Sequence, residues 1–309
     1  MPSSLLYTLT VLIWGSTWYA ITFQLGTVHP LLSIAYRFGL ASVVLFAFLW
    51  ARGQLKCLEF TKAQHSSLAM LGLCLFCINY ALNYYGTFYL ASGLVAIVFS
   101  TLSLMNVLNQ AIFFKIPIKK QVVLGSFIGF FGIICVFWPK IEHAEIGVKI
   151  ITGVVLVLCA TYFSSLGNMV AIRNNRSKIP VIEGNAFGML YGALFSFIIA
   201  MIMGAPITFE FTWGYTLSLL YLAVFGSSLA FGMYLTLMSR IGADKAAYAS
   251  VLFPVVALAI STVFEGYVWT PAALFGVALT LIGNVVAMTN RERLLHWREN
   301  FDWARFQGK

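Results

Sequence analysis

Residues 31–51 read LLSIAYRFGLASVVLFAFLWA, twenty-one consecutive positions with a single charge, Arg37. At 1.5 Å per residue, about twenty such residues in a helix cross a ~30 Å hydrocarbon layer. Within that layer a helix satisfies its own backbone polar groups, and the run lacks the strict alternation of a barrel strand. Working outward from it, the same kind of run recurs. Ten apolar segments emerge, roughly 4–25, 31–51, 66–86, 93–114, 121–138, 150–172, 184–204, 214–239, 246–264 and 271–289. Seven of the eight prolines (2, 30, 117, 139, 180, 206 and 271) fall at junctions or at the terminus, and only Pro254 lies within a segment. That placement spares the helical hydrogen-bond ladder. Trp50, Trp138, Trp213 and Trp269 sit at segment ends, the headgroup depth that indoles prefer.

Composition agrees. Of 309 residues, 61% are AVILMFWYC and 9% are charged, against the ~25% charged of ordinary soluble domains. A soluble enzyme, a disulfide scaffold and a disordered chain are all excluded. Met1-Pro2-Ser3-Ser4 carries no basic region, so the first run reads as a retained span rather than a signal peptide. The net charge of +9 is distributed as topology, not as a nucleic-acid footprint. Sixteen of the nineteen Lys and Arg residues lie on the side of the N-terminus, the even-numbered connections and the C-terminal tail. Two, Lys140 and Lys149, lie opposite, and the remaining one is Arg37. The expectation is an all-α integral membrane protein of the inner membrane, with ten transmembrane helices and both termini cytoplasmic.

Ten spans divide into two fives. At a shift of 150, Tyr84, Ala96, Ser100 and Leu102 match Tyr234, Ala246, Ser250 and Leu252; one residue further on, Gly125 and Gly132 correspond to Gly276 and Gly283. The loop after span 4 carries three lysines and its counterpart after span 9 carries none. An odd number of spans per repeat requires the second copy to insert inverted, so equivalent loops should differ in basic content. The expected organisation is therefore 1–139 and 140–289 as two inverted five-helix repeats, followed by a basic tail, 290–309. Within it, Leu294, Trp297, Phe301 and Ala304 share one face of an amphipathic helix suited to an anionic leaflet. Inverted repeats frame a substrate path near the midplane.

Certain short motifs carry a resemblance. Trp14-Gly15-Ser16, Ala35-Tyr36-Arg37-Phe38, and Ala246-x-x-Ala249-Ser250-Val251-Leu252-Phe253-Pro254, then Glu265 followed by Gly276-x6-Gly283, occur in that order. Together they resemble the EamA-type, ten-helix members of the drug/metabolite transporter superfamily. The resemblance implies two EamA repeats around a central cavity and alternating access. Two positions depart from the family pattern. Lys115-Ile116-Pro117 stands where an acidic residue is usual, and Leu104 where proline is common. A role for that acid carries over only to Glu265.

Several residues within the spans could serve a substrate. Arg37 is the one charge inside a span, roughly 9 Å below its outer end. It can snorkel to headgroups, serve the cavity or an outer gate, or pair helices. Asn79 and Asn83 share a face in span 3, with Tyr80 and Tyr84 alongside, and Asn106, Asn109 and Gln110 cluster in span 4. Such amides either join helices or face a wet cavity. Trp14 and Trp18 lie one turn apart in span 1, too deep for the interfacial belt; Tyr162, Tyr234 and Tyr248 are similarly internal. Core packing and a cavity of aromatic faces both fit them, the latter suiting a ring, a sulfonium or an ammonium. Ser16, Ser164, Ser165 and Ser250 would supply hydroxyls.

Enzymatic sets are missing from the spans. The four histidines lie in loops, at span ends or in the tail, no Asp lies within a span, and Cys74-x-x-Cys77 has no second pair. No cofactor, metal or catalytic residue is expected. The expected function is a secondary transporter of a small polar or amphipathic metabolite, an amino acid or related compound, moved outward. The alternative is uptake or exchange of a nucleoside-like or sulfonium metabolite such as S-adenosylmethionine; a non-transporting membrane subunit ranks below both. Its partners would be a small-molecule substrate and membrane lipid, with a homodimer left open and nucleic acid excluded. Arg37 and Glu265 are the gate or coupling candidates.

Overall fold

The computed structural model describes residues 1–54, 60–118, 120–141, 144–241 and 249–288. Among them every regular element is helical. In chain order these are α1 (Ser3–Thr22), α2 (Pro30–Ala51), α3 (Lys62–Thr87), α4 (Ser92–Phe114), α5 (Lys120–Ile141), α6 (Ala144–Arg176) and α7 (Val181–Ile202). Then comes α8, assembled from Trp213–Leu220, Tyr221–Leu229 and Ala230–Ile241, followed by α9 (Ala249–Phe264) and α10 (Pro271–Met288). Eight are long and apolar enough to cross a membrane, and two shorter apolar helices, Val251–Phe264 and Pro271–Ala287, accompany them.

Local chemistry sets the ends. Proline opens α2 and α10, where its missing N–H costs nothing. Thr61 and Gln64 form a reciprocal capping box at the start of α3, and the Thr212 hydroxyl caps α8. The Gly53 and Gly204 turns after α2 and α7 take positive φ, a conformation glycine adopts without strain. Two boundaries differ from expectation. α6 extends well beyond 150–172 at both ends, because Ala144–Val148 and Arg173–Arg176 continue the helix past the apolar limit. Pro139 falls within the last turn of α5 rather than beyond it. The tail, 290–309, lies outside the described residues, as does residue 248.

Three helices are irregular. In α3 the stretch Gly72–Ile78 is π-helical, and in α8 so is Tyr221–Leu229. Both replace the i→i+4 hydrogen bond by an i→i+5 one, a wider geometry common at functional sites. α4 breaks at Ser100–Thr101, where both hydroxyls bond carbonyls one turn back (2.6 Å to Ile97, 2.8 Å to Val98).

The most extensively packed pair is α5 with α10. Gly125 abuts Gly283 and Gly132 abuts Gly276, and a Cβ on Gly132 would lie 2.6 Å from the Gly276 carbonyl oxygen. Small residues here let two backbones touch, the usual way helices associate without a hydrophobic driving force between them. A second close approach brings Gly72 of α3 against Gly188 and Gly192 of α7. The main apolar core lies between α2, α3, α7 and α8 around Phe38, Phe76, Tyr84 and Met189. Outward, Phe127, Phe130, Phe131, Ile198, Ile202 and Val263 are exposed, a surface matched to lipid rather than to water.

Candidate functional site

Arg37 is the focus. It sits about seven residues into α2, roughly 10 Å from its start. Snorkelling is not what its side chain does, since the residue is 1% exposed. The guanidinium carbon lies 4.7 Å from the Tyr80 ring centroid and 5.1 Å from that of Phe38, and Nε donates to Ser227 Oγ at 3.3 Å. Nη1 is buried with no hydrogen-bond acceptor, and the buried Tyr84 hydroxyl beside it faces the guanidinium. Among the described residues no carboxylate pairs with it. Burying an unpaired ion costs several kcal/mol. Two ring faces, each giving up to ~2 kcal/mol when desolvated, offset only part of that.

The widened turn of α8 builds the other wall of this site. Ser227 and Ser228 reach back five residues to donate to Leu222 O and Ala223 O, at 2.9 and 3.1 Å. That register leaves the Gly226 carbonyl to accept from Trp14 Nε1 at 3.1 Å. Gly226 must be small, because a Cβ there would meet Thr17 at 2.9 Å and face the guanidinium at 3.7 Å. Trp14 is then enclosed by Phe231, Tyr234 and Phe253, with centroids 5.1 to 5.3 Å away. On the same helix, Ser16 Oγ shares a 2.6 Å hydrogen bond with Tyr221 OH, and Trp18 meets Phe99 at 5.0 Å.

Towards the α1–α2 connection a polar seal covers Arg37. Ser33 Oγ pairs with Tyr215 OH at 2.9 Å; Gln24 Nε2 donates to Tyr215 O at 2.9 Å and to Ser218 Oγ at 2.5 Å; Tyr36 OH donates to Thr208 O at 3.0 Å. Nearby, Glu265 holds the first turn of α4, accepting from Ser92 N (3.1 Å) and Ser92 Oγ (2.5 Å). A carboxylate at a helix N-terminus complements its dipole. Two residues on, burial pushes the Tyr267 hydroxyl above the ordinary phenol range.

The amides divide into two groups. Asn79 and Asn83 lie buried on α3, with Asn83 Nδ2 donating to Asn79 Oδ1 at 2.8 Å. Asn106 accepts from Asn168 at 3.2 Å and Asn109 donates to Ser165 at 2.9 Å, joining α4 to α6. That second group behaves as interhelical glue. The structure thus brings Trp14 and Tyr234 together, and separately joins Ser16 to Tyr221, along the contact of α1 with α8. It does not bring Tyr162 there: this side chain is 46% exposed on α6. Tyr248 lies outside the described residues, as does the Ser250 side chain. Sequence reasoning missed Ser227, Tyr221, Phe231 and Asn168. Ser227 follows a glycine in an apolar run, and a helical wheel that ignores the π turn points it elsewhere.

The model of the EamA-like transporter family matches residues 1–138 and 151–289. Protein PagO of Salmonella typhimurium is 24% identical over 301 residues, covering 94% of this chain and 96% of that protein. The uncharacterized transporter YoaV of Bacillus subtilis is 26% identical, covering 80% and 83%. The uncharacterized inner membrane transporter YedA of Escherichia coli K12 is 27% identical, covering 82% and 80%. A solved crystal structure superposes with a TM-score of 0.66 at 17% identity, over 92% of this chain and 96% of its own, a likeness of fold.

Proposed function

The chain belongs to the EamA-like transporter family, and from that premise we propose that this multi-pass membrane protein is a secondary transporter working by alternating access. The cargo in this reading is a small polar or amphipathic metabolite, an amino acid or related compound, carried out across the inner membrane. The observation that carries it is the sealed charge. Arg37 lies among aromatic and hydroxyl groups of α1, α2, α3 and α8, where a pathway between two repeats would run. Uptake or exchange of a sulfonium or nucleoside-like metabolite is the second reading, favoured by the ring cluster at Trp14.

The ten-helix, two-repeat layout belongs to the same proposal. Gly72–Ile78 shifted by 150 residues becomes 222–228, which falls inside the π stretch Tyr221–Leu229. The pairs Gly125–Gly283 and Gly132–Gly276 exchange with one another under the repeat correspondence, as a two-fold axis between α5 and α10 requires. Reporter fusions test the topology: those after Lys120 and Arg176 should read cytoplasm and one after Phe209 the outside. Purified protein in proteoliposomes tests the function. Saturable counterflow of an amino acid or sulfonium metabolite supports it, and no counterflow of any of them refutes it.

A further inference from the structure

We infer that the substrate carries a carboxylate group that supplies the counter-charge Arg37 lacks; this rests on the transport reading above and narrows its cargo. A guanidinium carries its charge at any physiological pH and presents five N–H donors in a planar fork matched to a carboxylate. Here one donor, Nε, goes to a hydroxyl, two ring faces cover the plane, and Nη1 has no acceptor. Beside it stands the buried Tyr84 hydroxyl, whose oxygen faces the guanidinium and whose hydrogen has no acceptor. Two convergent donors with no acceptor form half of a binding site. A helix-pairing arginine would have its fork filled by carbonyls or by an acid on the facing helix. The facing helix, α8, instead offers Gly226, which presents no side-chain acceptor to Nη2, and Ser227, whose hydroxyl hydrogen is already committed to Leu222 O. A cargo without a carboxylate would leave the guanidinium uncompensated at every stage of the cycle. A carboxylate compensates it whenever the site is loaded, and the seal of Ser33, Tyr215, Gln24 and Ser218 separates that site from the α1–α2 end.

The test uses the full-length protein in detergent. Thermal unfolding is followed against the twenty protein amino acids, against acetate, lactate and succinate, and against the primary amide of every compound that responds. The amide keeps the shape and removes the negative charge. At least one carboxylate should raise the unfolding temperature dose-dependently while its amide does not. In Arg37→Gln its half-saturation should weaken at least about tenfold, the lower end of what a charge-assisted hydrogen bond contributes. Arg37→Lys, which keeps the charge without the fork, should fall between the two. If Arg37→Gln does not fold, the wild-type comparison of acid with amide decides alone. Equal shifts by acid and amide, an undiminished response in Arg37→Gln, or no response to any carboxylate overturns the inference. Counterflow of a compound without a carboxylate group by wild-type protein would also overturn it, and would leave the transporter reading standing.

Discussion

Replacing Gly132 by alanine tests whether the α5–α10 seam holds the two halves of the protein together. A Cβ built on Gly132 falls 2.6 Å from Gly276 O, Thr280 N and Thr280 Oγ1, and two of these are backbone atoms that no rotamer can move. Ordinary contact begins at 3.4 Å, so the helices must separate by about 1 Å at this point. A gap of that size forfeits a quarter to a half of each dispersion contact it opens. The loss runs along the seam, because Gly125 and Gly283 touch in the same way two turns away. Overpacking of this kind typically costs ~1–3 kcal/mol. Alanine also improves helix propensity by up to ~1 kcal/mol over glycine, which sets the control. Gly232→Ala, on α8 with nothing within 4 Å of its Cβ, should be neutral or stabilising. The measurement is thermal or denaturant unfolding of purified protein in detergent, both variants beside wild type. A Gly132→Ala protein as stable as Gly232→Ala would refute the claim that backbone contact sets the seam.

Other consequences can be checked in the same way. Trp14→Phe keeps the ring among Phe231, Tyr234 and Phe253 but loses the bond to Gly226 O; unfolding should register a loss of ~0.5–1.5 kcal/mol, and Trp14→Ala considerably more. Glu265→Ala removes the acceptor for Ser92 N and Oγ, and should cost ~0.5–2 kcal/mol of stability by the same assay, with Glu265→Gln losing less because its amide oxygen still accepts. Gly226→Leu should abolish counterflow and lower the unfolding temperature together, since the new side chain must displace Thr17 and press on Arg37. Deleting 291–309 should leave counterflow intact and lower membrane abundance at most; an abundant but inactive truncation would make the tail a gate or docking element.

The helices were legible because long apolar runs have one solution in a bilayer, and Arg37 was legible because it is the only charge inside one. Its environment was not. Whether an arginine snorkels or turns inward depends on what the facing helix offers, and here that is set by Gly226 and Ser227, which sit 189 and 190 residues further along the chain. Asn79 and Asn83 could be paired from their spacing of four, whereas the Asn106–Asn168 bond joins α4 to α6 and has no local signature. Depth along a helix can be read from a sequence, but the face it turns to its neighbours cannot once every face is apolar, and Tyr162 stands 46% exposed, apart from the Arg37 cluster.

The π stretches leave α3 and α8 with mechanical slack. An i→i+5 hydrogen bond spans one residue more than the i→i+4 bond of an α-helix, and one residue of α-helix is worth about 100° of rotation and 1.5 Å of rise. Tightening Tyr221–Leu229 to the α register would swing Ala230–Ile241 by about that angle against Trp213–Leu220, with no bond of the chain broken and neither helix end unwound. The same holds for Gly72–Ile78, which separates Lys62–Leu71 from Asn79–Thr87. Because the loose turn of α8 aims the Gly226 carbonyl at Trp14 and Ser227 at Arg37, taking up its slack would remove both contacts in one motion. A hinge over the buried charge built this way would run along a helix axis, with a stroke of a single residue.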